Sequence, residues 1–409
     1  MNILIINHYA GAPHLGRELR PYFFAKNWQK AGHHVTIAAA DHTHLRSNAP
    51  VEGHEPELRR IGEVSYLFFP TPRYNDSIAG RGRNIAAFVK GLWQNAPSLA
   101  AEVQPDVIIA QSGYPYDFFP AQRIAGLCGA KTVLEVRDLW PLQLRDHYHY
   151  PPTHASVRFA EYMLGRAVSA ADHVVRVLPN SKEYLMGFGM KEEHSSLILS
   201  GIAAKNRKLE VPAGKAEKLA RFKGNGLLVM YCGNLGINHD LEDFVDSANL
   251  TGENIRLVLV GNGGNKITLK RRARELSLHN LMFVDGVTPG QVSGMLDLAD
   301  ILYFPLRTTH QARYGIASAK LLGYMLAGKP IICDGNAPGN PVTEANCGIV
   351  LEKHSPQEVA GAIRMLANME EQQRNQMGQR GREYVLGSRD YSLLAAEYLA
   401  LLKKLAGKE

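Results

Sequence analysis

The chain has 409 residues, enough for two domains with full cores. Lys and Arg number 46 against 39 Asp and Glu, a net charge of +7, which suits a nucleotide, a phospholipid surface or a nucleic acid alike. Its four cysteines, Cys128, Cys232, Cys333 and Cys347, lie far apart with no CxxC or Cys/His spacing. This argues against a disulfide framework or thiolate metal site and predicts reduced core thiols.

The opening MNILIINHY reads as a strand and lacks the basic n-region and cleavage site of a signal peptide. No apolar run approaches a bilayer span, so the expectation is a cytoplasmic protein, soluble or peripheral to a membrane. Asn2 to Asn7 fits a strand buried on both faces. A Gly/Pro loop with Gly11 and Gly16 leads into a helix ending at Lys30, with Tyr22, Phe23, Ala25 and Trp28 toward the core. His34 to Ala38 is the next strand, completing a βαβ opening. The Gly16 loop stands at a helix start, where it would touch phosphate or sugar, or serve only as a tight turn; its spacing is not GxGxxG.

His42 to Ser77 is a polar, Pro-rich excursion with a strand at Val64 to Phe69. Arg73, Arg81, Arg83 and Lys90 then cluster around Ile85, Phe88, Val89, Leu92 and Trp93, which fall at helical spacing. That stripe faces the core, the commoner case, or lies on an anionic membrane. Pro105 to Ala110 is a buried strand with QSGYPYDFFP, including Ser112, at its carboxyl end. A helix at Ala121 to Gly129 precedes the strand Thr132 to Val136, which ends in Arg137-Asp138-Leu139-Trp140-Pro141. Asp138 there can orient an acceptor hydroxyl or take its proton, or it can cap a turn. Asp146 to Pro152 is an aromatic loop suited to a sugar. A helix at Ser156 to Ala170, a strand at Ala171 to Val175 and a short helix from Pro179 continue the alternation, which predicts a parallel, doubly wound sheet.

After a short strand at Ser196 to Gly201, the Lys-rich segment Lys205 to Lys223 reads as a solvated connector or surface helix, and the rhythm restarts at Gly226 to Cys232. The expected domains are therefore 1–200 and 201–385, with a C-terminal helix, 386–409, packing back toward the first. Strands at Arg256 to Val260, Met282 to Asp285, Asp300 to Pro305, Pro330 to Cys333 and Gly348 to Leu351 alternate with helices. Two stretches follow strands as Gly-bearing loops: Gly233-Asn234-Leu235-Gly236 and Gly261-Asn262-Gly263-Gly264. Between Tyr303 and Pro330 lies a loop with Arg307, His310 and Arg313, then Gly315-Ile316-Ala317-Ser318, then a helix starting near Lys320. Small residues admit a ligand to the backbone, a helix N-terminus favours an anion, and Arg313 and Lys320 add full charges. It reads as a diphosphate cradle, or as an ordinary strand-loop-helix with basic surface residues.

Six segments, NHYAGAPHLGRELRPY, LEVRDLWP, YCGNLG, LVGNGG, FVDGVTP and AKLLGYMLAGKPII, together resemble the retaining glycosyltransferases of family 4. The first two resemble the bacterial surface-polysaccharide subgroup, such as N-acetyl-L-fucosamine transferases. The resemblance implies the GT-B fold: two doubly wound Rossmann-like domains facing a central cleft, acceptor on the first, nucleotide-sugar on the second. It implies transfer with retention, no cofactor, a donor linked to uridine diphosphate, and a lipid-linked saccharide acceptor in O-antigen, capsule or exopolysaccharide synthesis, with a peripheral contact to anionic membrane. The sequence has no Asp-x-Asp pair, so a metal is not expected, and no nucleic-acid partner is expected either. The family's pair of glutamates falls at Gly315 and Gly323, and the Arg and Lys usual in the YCGNLG loop fall at Asn234 and His239. The first-domain His of other members is absent, with Arg137-Asp138 in that place.

On these grounds the expected catalytic residues are Asp138, Arg313 and Lys320. Donor contacts are expected from Gly16, Arg17, Asn234, Gly236, Gly261, Asn262, Val287, Gly315, Ile316, Ala317, Ser318 and Tyr324, and acceptor contacts from His14, Ser112, Arg137 and Tyr148. Two other functions compete with the transferase: a GT-B sugar-nucleotide epimerase, and a non-catalytic saccharide-binding protein.

Overall fold

The computed structural model describes residues 1–408 apart from 47–49, 51–52, 76, 205–209 and 238–239. It divides into two compact units, Met1–Gly201 with Tyr391–Glu409, and Ile202–Asp390. Part of the Lys-rich segment, and His239, fall outside the described residues.

The first unit is built on β1 (Asn2–Ile6), β2 (His34–Ala40), β3 (Glu57–Ile61), β4 (Val64–Phe69), β5 (Val107–Ala110), β6 (Lys131–Val136), β7 (His173–Arg176) and β8 (Ser195–Leu197). Their order is β3-β4-β2-β1-β5-β6-β7-β8. All neighbours run parallel except β3 and β4. Ile3 pairs with Val35 on one side and Val107 on the other, and Ile3 to Ile6 are wholly buried. A central parallel strand is covered on both faces, which is why β1 is an unbroken apolar run. The antiparallel β3 departs from the expected all-parallel sheet. Its sequence, ELRRI, is charged and largely exposed, as suits an edge strand, and carries no apolar alternation to announce it.

The second sheet comprises β9 (Leu227–Cys232), β10 (Ile255–Val260), β11 (Leu281–Val284), β12 (Ile301–Pro305), β13 (Ile331–Asp334) and β14 (Gly348–Leu351), in the order β11-β10-β9-β12-β13-β14. Every pairing is parallel. Cys232, Cys333 and Cys347 are buried free thiols in this unit, while Cys128 of the first is exposed. Both units are Rossmann-like α/β domains.

The final helix, Tyr391–Ala406, packs on the first, Arg20–Lys30. Trp28 Nε1 donates to Ala395 O at 2.8 Å, and Tyr398 stands edge-on to Phe24 and Trp28. The helix Trp140–Tyr148 takes in the first three residues of the expected aromatic loop, so Tyr148 sits on a last helical turn, while His149 to Pro152 lie outside any helix. Pro141 lies in its first turn, where a missing N–H costs nothing. Among the described residues no helix is long and apolar enough to cross a membrane.

Candidate active site

In the second unit the strand order reverses between β9 and β12. Open parallel sheets bind ligands outside the carboxyl ends of the strands at such a switch. The loops leaving that edge are stitched together. Gly233 N donates to Val260 O, Leu235 N to Asn262 O and Gly261 N to Val284 O, each at 2.9 Å. Lys266 Nζ reaches Gly261 O at 2.9 Å, Asn262 Oδ1 at 2.8 Å and Asp285 Oδ1 at 2.6 Å. A Cβ on Gly261 would stand 1.8 Å from Gly233 O, so a glycine is what lets the β9 and β10 loops meet.

Beyond β12 the chain passes Gly315, at φ +119, and Ser318 caps the helix Ala319–Leu326 by accepting from Leu321 N at 3.2 Å. The first amides of that helix have no intrahelical acceptor and carry the positive end of its dipole. Lys320 reaches back across the sheet edge. Its Nζ lies 3.9 Å from the Tyr231 ring centroid and 5.6 Å from those of Phe304 and Tyr324. It rests on Gly233, where a Cβ would stand 2.5 Å from the ammonium. Burial pushes its pKa down to about 7. The amine is held against aromatic faces with the Cys232 thiol beside it, and an anion at this edge would meet both it and the first helix amides.

The first unit reverses between β1 and β5, and its switch is lined by His8 and Tyr114. The His8 ring is wholly buried, stacked on Tyr9 at 4.5 Å, and its pKa is pushed down to about 3 by burial. His8 Nε2 lies 2.6 Å from Asn84 Oδ1 and Nδ1 lies 2.5 Å from the Tyr114 hydroxyl. The Asn84 amide donates to Thr71 Oγ1, Pro72 O and His42 O. Its oxygen must therefore accept, which puts the His8 proton on Nε2 and makes Tyr114 the donor to Nδ1. Asp138, after β6, is half-buried with Oδ2 3.3 Å from where a Gly113 Cβ would be, and Arg137 pairs with Glu18 at 2.5 Å. Among the described residues no group of three or more His, Cys, Asp or Glu side chains could hold a metal ion.

Residues 22–198 match the family described as Glycosyl transferase 4-like domain, and residues 215–384 match Glycosyl transferases group 1. The chain is a glycosyltransferase of GT-B type. Solved structures agree on the fold over nearly the whole length. Sucrose-phosphate synthase from Thermosynechococcus elongatus has a TM-score of 0.75 at 15% identity, covering 100% of this chain and 99% of that one. Anabaena HepE, solved with UDP-glucose, has 0.65 at 14% identity, covering 98% and 99%. WaaG, a glycosyltransferase involved in lipopolysaccharide biosynthesis, has 0.64 at 16% identity, covering 99% and 100%. No curated protein matches the chain.

In this glycosyltransferase, Asn234, Gly236, Gly261, Asn262, Val287 and the run Gly315 to Ser318 all stand on loops at one edge of the second sheet. Arg313 is exposed on the short turn Gln311–Tyr314 of the same connection. His14, Gly16 and Arg17 lie on the loop after β1 of the first unit. Two expected contacts have structural work instead. Tyr324 is 1% exposed, and its hydroxyl donates to Cys232 O and accepts from Cys232 N, both at 2.8 Å. Ser112 is buried too: its Oγ accepts from His8 N at 2.9 Å and its N donates to Asp117 Oδ2 at 3.1 Å. Both side chains brace the strand ends that carry the loops. Sequence reasoning passed over His8, Asn84, Tyr114 and Lys266. His8 had a signal, standing directly after β1; Asn84 had none, because only packing brings it 2.6 Å from His8.

Proposed function

We propose that this protein moves a sugar, an N-acetylamino sugar by its subgroup resemblance, from a uridine-diphosphate donor to a lipid-linked saccharide in surface-polysaccharide synthesis. The observation that carries this reading is the Lys320 seat at the β9/β12 switch, where an aromatic-lined amine meets a helix N-terminus and a glycine-lined strand edge. A donor diphosphate is the anion that matches both the charge and the close backbone approach. The structural likeness to HepE, which binds UDP-glucose, supports the choice of base, and WaaG, involved in lipopolysaccharide biosynthesis, supports the choice of pathway.

In this mechanism the bond between the anomeric carbon and the diphosphate breaks while the acceptor oxygen bonds the same carbon on the same face. Lys320 and the helix amides hold the charge that develops on the leaving diphosphate. The acceptor proton passes to the departing phosphate, and Asp138 orients the acceptor hydroxyl. The acceptor binds the first unit, the donor mainly the second, and the enzyme works at the inner face of the cytoplasmic membrane.

A thermal-shift panel of nucleotides and sugar nucleotides tests the donor, since a bound ligand raises the melting temperature by mass action. Uridine diphosphate and its sugars should raise it, with and without EDTA, and release of free nucleotide should depend on acceptor. A flat panel sinks the donor assignment. Turnover that EDTA abolishes and magnesium or manganese restores would show that a metal, not Lys320 and the helix, meets the diphosphate.

A further inference from the structure

The helix Ile78–Gln94 has two apolar faces. One is core: Ile85, Phe88 and Leu92 are buried. The other runs along Ile78, Gly82, Ala86, Val89 and Trp93, a single stripe at helical spacing, and is left open. Ile78 is 52% and Trp93 45% exposed. That open face is one wall of a groove of about 670 Å³ lying wholly within the first unit. Phe119, Trp140, Leu144, Tyr148, Phe159 and Met163 supply the remaining walls, and Phe159 is 54% exposed. A volume of that size falls in the usual range for a small-molecule site. Left empty it would keep several large hydrophobic side chains in water.

The groove is not uniformly apolar. Arg81 and Lys90 line it. The Arg81 guanidinium is half-buried, 5.6 Å from the ring centroids of both Tyr9 and Trp140, with Nε donating to the Tyr9 hydroxyl at 3.3 Å. Among the groups acting on it are the hydroxyls of Tyr9, Tyr148 and Tyr74. Tyr9 follows His8 at the carboxyl end of β1, so Arg81 marks the end of the groove next to the β1/β5 switch. Asn84, on the same helix, ties that helix to His8. Hydrocarbon walls thus run from the protein surface to a cation at the rim where an acceptor would react.

We propose that this groove seats the hydrocarbon chain of the acceptor lipid, with Arg81 taking the phosphate that joins chain to saccharide. The assignment rests on the lipid-linked acceptor of the proposed function and adds where the lipid goes. Chain and phosphate are matched by the composition of the groove: apolar walls along the open helix face, Lys90 toward Trp93, and the Arg81 guanidinium on the side next to Tyr9 and the sheet edge. Burying chain methylenes against these walls supplies affinity, and a guanidinium held beside aromatic rings gives a phosphate a charged partner with a fixed orientation.

The groove contains its own reporters. Trp93 and Trp140 line it, whereas Trp28 is fully buried in the core elsewhere. The probe is ω-bromododecyl phosphate below its micelle-forming concentration, since bromine quenches tryptophan on contact. The expected result is saturable quenching, reversed by unbrominated dodecyl phosphate. Gly82 lines the groove and has open space around a Cβ position, so Gly82→Phe should fill the groove and weaken the probe at least about tenfold. Ala86→Phe, on the same exposed face, is the second filling variant should the first fail to fold. Arg81→Gln should weaken the phosphate probe but not bromododecanol. Absence of saturable quenching overturns the proposal. So does quenching seen only with brominated phosphatidylglycerol vesicles and unaltered by Gly82→Phe, which would make this face a membrane contact and not a chain seat. In both cases nucleotide-sugar binding by the second unit is measured alongside, so that loss of the groove and failure of the transferase reading are told apart.

Discussion

Lys320 couples its own protonation to what it binds. Burial penalises its ammonium and pushes its pKa down to about 7. A diphosphate favours the ammonium, so binding draws in a proton whenever the free site is neutral. Donor affinity should therefore fall as pH rises above about 7, by up to about tenfold per pH unit, until the pKa of the bound form is reached. The same group acts oppositely on folding stability. Unfolded lysine keeps its proton to about 10.5, so the unfolded state binds more protons between about 7 and 10.5 and this contribution to stability rises with pH. Titration calorimetry across that range checks the first trend, and its absence in Lys320→Met checks the assignment. Lys320→Ala should also cost on the order of 2–4 kcal/mol in transition-state stabilisation, read from kcat/KM. The helix that follows Asp138, Trp140–Tyr148, has Leu139 at its N-cap, and no side chain caps it. Asp138 is therefore not that helix's cap. Asp138→Asn should leave melting and donor binding unchanged and lower turnover by roughly a hundredfold; full activity would remove Asp138 from the mechanism.

At the scale of the element, two glycines on adjacent loops should separate stability from binding. A Cβ at position 261 would meet the Gly233 carbonyl oxygen at 1.8 Å, backbone against backbone. Gly261→Ala should therefore lower stability by about 1–3 kcal/mol, the range for overpacking, as the β9 and β10 loops part. A Cβ at position 233 would meet Lys320 Nζ at 2.5 Å and Cε at 2.9 Å, the far end of a flexible side chain. Gly233→Ala should leave the denaturation midpoint close to wild type while weakening the donor, because the ammonium has to move. Both glycines stand directly after apolar strands in the sequence, so their place at the sheet edge was legible there. The helix Ile78–Gln94 was legible as an amphipathic element with two readings, core or membrane-facing. The core reading holds for Ile85, Phe88 and Leu92, which are buried, while Val89 and Trp93 line the open groove.

At the scale of the molecule, the first unit is closed by contacts between distant parts of the chain. Arg20 Nε and Nη2 donate to the two carboxylate oxygens of Glu135 at 2.9 and 3.1 Å, and its other bonds go to Ile198 O and Leu199 O. Arg20 is 4% exposed and Glu135 also 4%, so the pair is desolvated. Arg20→Ala would leave a buried carboxylate without its partner and should destabilise the protein by about 3–5 kcal/mol in chemical denaturation. Arg20→Met combined with Glu135→Leu should recover most of that loss, because neither charge of the pair then remains buried.

The alternation of apolar strands with amphipathic helices determined two parallel α/β halves from the sequence alone, since a strand covered on both faces must be apolar throughout and a crossover helix must be so on one side. Local chemistry also placed the glycine loops and the helix of Lys320 after strands, and so at a carboxyl edge. It could not say which side chains meet there. The Lys320 ammonium lies on the ring of Tyr231, 89 residues earlier in the chain. His8 has its tautomer because Asn84 and Tyr114 are brought to its two nitrogens. Tyr324 and Ser112, the right residue types in the right segments, are taken up by backbone partners that only the packed sheets supply. The open groove follows from packing as well: periodicity marks a helix face as apolar, but whether another element covers that face is decided by tertiary structure.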